Sequence, residues 1–150
     1  SGWQIGDGVL CGQNPRAGEY LTKEPLPPDF AVESSLRIEA ENPSAGTVTW
    51  ALLGNGPANT IILSLGMRGA EWELRWQTHD ANGAWPLPAE IDMRSAQHAA
   101  FQVRGGQLVA RWEGRVVGTL ATEARPAKLG RGAYDARACF DMVRAVRLSA

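Results

Sequence analysis

Ile61-Ile62-Leu63-Ser64-Leu65-Gly66-Met67, then Arg68-Gly69-Ala70, then Glu71-Trp72-Glu73-Leu74-Arg75-Trp76-Gln77 is the stretch that decides the fold. Ile61, Leu63, Leu65 and Met67 recur at every second position. After the turn, Trp72, Leu74 and Trp76 do the same against Glu71, Glu73, Arg75 and Gln77. Successive strand side chains point to opposite faces, so this period marks half-buried strands with one wet face. The same period runs outward in both directions. In Asp29–Glu39 the apolar residues Phe30, Val32, Leu36 and Ile38 sit at even positions, and Asp29, Glu33, Arg37 and Glu39 at odd ones. Val48, Trp50 and Leu52 share one side of Thr47–Leu53. Phe101 and Val103 lead into Gly105-Gly106, a favoured two-residue hairpin turn because both glycines tolerate positive φ. Leu108, Ala110 and Trp112 return, Glu113-Gly114 turns again into Val116–Leu120, and Ala136–Leu148 closes the chain. Roughly ten short strands separated by Gly, Pro and Asn signals predict an all-β, antiparallel two-sheet sandwich. Met93–Ala100 carries helix formers and reads as one turn between strands.

The 150 residues suit a single domain, 1–150. With 44% hydrophobic residues and a net charge of −1, the chain is neither disordered nor built for phosphate-driven nucleic-acid binding. Two cysteines exclude a disulfide-stapled miniprotein, and a span-length apolar run is missing from the sequence. The start, Ser1-Gly2-Trp3, has no Met and no leader pattern, so the chain reads as trimmed, a domain cut from a larger protein with other domains as partners.

Trp3-Gln4-Ile5-Gly6-Asp7-Gly8-Val9-Leu10, Tyr20-Leu21-Thr22 and Pro28-Asp29-Phe30-Ala31-Val32 resemble the opening of concanavalin A-like jelly rolls, with Trp3–Leu10 as a single first strand. They are most similar to the 3-keto-disaccharide hydrolase domain family. Phe140-Asp141-Met142-Val143-Arg144 looks like the final strand of that superfamily, and the Phe101–Leu120 hairpin is similar in order. The resemblance implies a jelly-roll sandwich of the lectin and glucanase type, a carbohydrate ligand, and an extracellular or periplasmic setting. The chain departs from the hydrolase pattern at Ser44-Ala45-Gly46-Thr47, where that family has an Asn-Ser-Gly segment.

Candidate chemistry is sparse. His79 and His98 have no His or Cys at a ligand interval, so no metal or other cofactor is expected, with calcium possible but not indicated. Glycoside hydrolysis needs two carboxyl groups roughly 5–9 Å apart. Glu71 and Glu73, two apart on one strand face, meet that spacing at about 6.5–7 Å by strand rise. If the protein is an enzyme, Glu71, Glu73 and His79 are its candidate groups. Alternating Glu and Arg on a wet strand are otherwise surface pairing. Six tryptophans stand out. Trp50, Trp72, Trp76 and Trp112 are in phase with Leu and Val and are expected in the core. Trp85, inside Asn82-Gly83-Ala84-Trp85-Pro86, reads as a loop residue, either a lid on the core edge or a sugar platform.

The leading expectation is a non-catalytic carbohydrate-binding domain using Glu73, Arg75, Gln77, Trp85 and Arg111. The alternatives are a short 3-keto-glycoside or glycoside hydrolase, and a structural or protein-interaction module. In jelly rolls of this type the terminal strands run close together. Cys11 and Cys139 are accordingly either a disulfide or two buried thiols.

Overall fold

The computed structural model describes residues 3–6, 9–14, 26–38, 47–126 and 128–148. Eleven strands make up most of it: β1 (Trp3–Gly6), β2 (Val9–Asn14), β3 (Phe30–Ile38), β4 (Thr47–Leu53), β5 (Ile61–Arg68), β6 (Glu71–Gln77), β7 (Asn82–Pro86), β8 (Gln97–Arg104), β9 (Gln107–Trp112), β10 (Arg115–Ala121) and β11 (Lys128–Arg147). A 3-10 turn occupies Pro57–Asn59. Among the described residues no helix is long and apolar enough to cross a membrane.

All pairings are antiparallel, in the order β10-β9-β8-β3-β11-β4-β5-β6-β7, with β1 and β2 joined to β11 through β2. The 20 residues of β11 would extend about 65 Å if straight, too far for one layer of a domain this size. The strand instead serves two layers. Lys128–Tyr134 pairs with β4, and Ala138–Arg147 pairs with β3, with register breaks at Ala133/Ala138 and Phe140/Met142. One sheet is β10-β9-β8-β3 with the second half of β11, and the other is the first half of β11 with β4-β5-β6-β7.

The core fills the space between them and follows the predicted alternation. Phe30, Val32, Leu36, Phe101, Leu108 and Trp112 from one sheet meet Val48, Trp50, Leu52, Ile61, Leu63, Leu65 and Leu74 from the other. Trp50 and Phe101 touch edge to face across the layers with ring centroids 5.1 Å apart. Trp50 Nε1 donates to Ser34 Oγ at 3.0 Å, which gives the buried indole N–H and the buried hydroxyl a partner. Gly105 and Gly106 have φ of 58° and 78°, as a type I′ turn requires.

Two local expectations are corrected. The Trp3–Leu10 stretch is two strands, with Trp3 opposite Gly12 and Gly6 opposite Val9, rather than one. Trp85 lies on a strand, not a loop: β7 is the sheet's last strand, and an edge tolerates the Pro86 that a central strand would not. In the Met93–Ala100 stretch, turn formation is confined to its first residues. Asp92 accepts from Arg94 N at 3.0 Å and from Ser95 Oγ at 3.2 Å, and β8 starts at Gln97.

Candidate functional site

The hairpin that decides the fold also builds the site. Its register aligns three rows on the outer face: Ile62–Gln77–Asn82, Ser64–Arg75–Ala84 and Gly66–Glu73–Pro86. Core-facing residues alternate with these, so apart from Ile62 and Pro86 the outer face is left to polar groups and small side chains. The rows enclose a groove of about 470 Å³ lined by Ser64, Arg68, Glu73, Arg75, Gln77 and Asn82 among others.

Glu73 and Arg75 are its fixed feature. Arg75 Nε donates to Glu73 Oε1 at 2.8 Å, and Arg75 Nη2 donates to the Met67 carbonyl at 3.0 Å. The guanidinium lies across the β5 backbone at Gly66, where a Cβ would come within 2.4 Å of Arg75 Cζ. A residue with a side chain at 66 would push the guanidinium off the sheet. The Glu73 side chain is 14% exposed and that of Arg75 43%, so the cation is presented and the carboxylate is tucked beneath it. Of five guanidinium N–H donors two are engaged in these bonds. Ser64, Arg68, Gln77 and Asn82 make no side-chain hydrogen bond to other described residues. Hydroxyl, amide and guanidinium groups therefore face the groove with unspent capacity.

Of the five residues expected to bind a ligand, Glu73, Arg75 and Gln77 come together here. Arg111 does not: it stands on β9 in the other sheet, opposite Ala100, with Nη1 donating to Gln102 Oε1 at 3.3 Å. Trp85 does not either. It is opposite Leu74, on the core side of β7, and its ring lies on Gly118 of β10 and 6.1 Å from the Trp76 ring. It bridges the two ends of the strand order. Sequence reasoning missed Ser64, Arg68 and Asn82. Counting back from the Gly69-Ala70 turn places Ser64 opposite Arg75, so that signal was present in the hairpin itself.

The enzyme trio is dispersed. Glu71 is exposed beside the β5–β6 turn, opposite Arg68. His79 lies past the other end of β6, its Nδ1 3.9 Å from Asp80 Oδ1. Six residues of extended chain put it about 20 Å from Glu73. His79 borders a second, larger cavity of about 750 Å³ with Asn59, Thr78, Asp80 and Thr122. Several of those polar groups are spent on turns: Thr78 on Asp80, Asn59 on the Arg125 and Asn55 backbone, and Thr122 on the Ala124 N–H. The smaller groove is the better site because most of its polar side chains, Ser64, Arg68, Gln77 and Asn82, are unspent. Among the described residues no three His, Cys, Asp or Glu side chains gather as a metal-holding group.

The architecture has clear counterparts among solved structures. Carbohydrate-binding module CBM66 from Bacillus subtilis superposes with a TM-score of 0.68 at 16% identity, over 96% of this chain and 90% of that one. A β-1,3-1,4-glucanase (lichenase) from a mouse hindgut metagenome gives 0.74 at 14% identity, over 98% and 84%. The fold is the concanavalin A-like jelly roll. An alginate lyase from Pseudomonas aeruginosa shares it, with a TM-score of 0.69, 14% identity and coverage of 97% and 86%. No family model and no curated protein matches the sequence.

Proposed function

We propose that the protein is a non-catalytic carbohydrate-binding domain that holds a glycan in the groove on the outer face of β5, β6 and β7. The observation that carries this reading is the Glu73–Arg75 pair seated over Gly66 and surrounded by unspent polar groups. Sugars display vicinal hydroxyls that both donate and accept. A guanidinium with free N–H groups, a hydroxyl and two amides match such a pattern, and a charge-assisted bond contributes about 1.5–3 kcal/mol. Hydrolysis is less well served. The carboxylate of Glu73 is engaged by Arg75, and its nearest strand neighbour on that face, Glu71, stands exposed at the turn. The carbohydrate-binding module and the glucanase with this fold support a sugar as the ligand class.

A panel of soluble polysaccharides, with mixed-linkage β-glucan and alginate as first members, tests the reading by affinity electrophoresis with a parallel assay for new reducing ends. Retardation without turnover is the expected result. Turnover abolished by Glu73→Gln would instead make the domain a hydrolase or lyase, and absence of retardation across the panel would favour a protein-interaction module. Binding is expected to survive chelation with EDTA. Loss of retardation on chelation, restored by calcium, would reveal an oxygen-ligand site built from loop carbonyls.

A further inference from the structure

We propose that Cys11 and Cys139 form a disulfide that latches the β1–β2 hairpin to β11, and that reducing it releases the hairpin while the sandwich stays folded. The register places Ala138 opposite Gly12, Cys139 opposite Cys11 and Phe140 opposite Leu10. The two cysteines are thus the middle rung of three consecutive antiparallel pairs. Directly opposed residues in such a ladder have Cα atoms about 4.5 or 5.5 Å apart, depending on the rung, and both values fall inside the roughly 4.4–6.8 Å range of disulfides. Cys139 is also fixed from the other edge of its strand, where Ala138, Cys139 and Phe140 stand opposite Ile38, Arg37 and Leu36 of β3.

The location gives the bond its consequence. Among the described strands, β1 pairs with β2 alone and β2 pairs only with β1 and β11. The hairpin is therefore held along one seam, and that seam is broken between Ala133 and Ala138. The cysteines sit on its longest regular run. A crosslink here closes a loop that includes most of the chain, the case in which restricting the unfolded ensemble has its largest effect in the loop-entropy model.

Formation needs a two-electron oxidant, and a low-molecular-weight disulfide suffices. One cysteine thiolate attacks it, forms a mixed disulfide and expels one small thiol. The second cysteine thiolate then displaces the other small thiol. The two protein thiols lose two electrons and two protons in all, and one small disulfide becomes two small thiols. Excess dithiol reverses the exchange.

The test uses the full chain equilibrated with glutathione disulfide, blocked with iodoacetamide under denaturing conditions, and weighed intact. The expected product is lighter than the reduced protein by two hydrogens and carries no label. The reduced protein carries two labels, and a non-reducing digest yields the peptide pair joined at Cys11 and Cys139. Oxidation should raise the melting temperature by about 5–15 °C. Cys11→Ser and Cys139→Ser should each abolish that oxidation-dependent difference. Hydrogen exchange should quicken on reduction at Val9–Asn14 and stay unchanged in β5 and β6. Two labels after oxidation, or glutathione adducts in place of the internal bond, would overturn the disulfide. A bond whose reduction leaves exchange in Val9–Asn14 unchanged would overturn the latch.

Discussion

Trp50→Ala should cost the domain about 3–5 kcal/mol of stability, the range for truncating a buried aromatic. That approaches the whole stability of a typical domain, about 5–15 kcal/mol. Trp50 is fully buried between the layers, packs on the Phe101 edge and donates to Ser34 Oγ. Truncation opens a void where the two sheets meet and leaves the buried Ser34 hydroxyl without its indole partner. Trp50→Phe separates the two effects: it retains much of the volume, and its loss of about 1–3 kcal/mol is chiefly the orphaned hydroxyl. Urea melts of both variants check this. A loss below about 1 kcal/mol for Trp50→Ala would mean the layers do not close on this residue.

Trp85→Ala should lower stability by about 2–3 kcal/mol and leave glycan binding intact. Its ring is half-buried, covers Gly118 of β10 and packs with Trp76, so it seals the edge where the first and last strands of the order meet. The estimate is below that for a core tryptophan because part of the ring is already wet. Trp76→Ala combined with Trp85→Ala should show a coupling of about 0.5–1.5 kcal/mol, as neighbouring aromatic pairs do. Additive losses would mean the rings do not act together. A selective loss of binding with stability unchanged would restore the platform role for Trp85.

Trp85, expected on a loop as either a lid or a platform and found on β7, shows where the sequence stops being readable. Period two revealed β3, β5, β6, β8 and β9 because each buries one face and wets the other. β7 lacks that signature: Asn82, Gly83 and Pro86 have the composition of a turn, and a peripheral strand can keep such residues. Gly83 is there for a packing reason, since a Cβ would meet the Trp76 ring at 2.6 Å. The first half of β11 was hidden for a similar cause. Gly130 and Gly132 interrupt its alternation, although Lys128–Tyr134 forms a continuous ladder with β4.

The site was half legible. Glu73, Arg75 and Gln77 share a face because they are two apart on one strand. Ser64 and Asn82 join them only through register with neighbouring strands. Arg111 fits the same alternation, yet alternation specifies a face and not a sheet, and the chain places β9 in the other layer.

Titration calorimetry of Arg75→Ala and Arg111→Ala, against the polysaccharide that the panel retains, tests the groove most directly. Arg75→Ala should weaken binding by about tenfold or more, with the melting temperature within a few degrees of wild type, because a charge-assisted bond to the ligand is lost from a partly exposed side chain. Arg111→Ala should bind as wild type does. The reverse pattern, with binding lost in Arg111→Ala and kept in Arg75→Ala, would move the ligand to the opposite sheet and contradict the account.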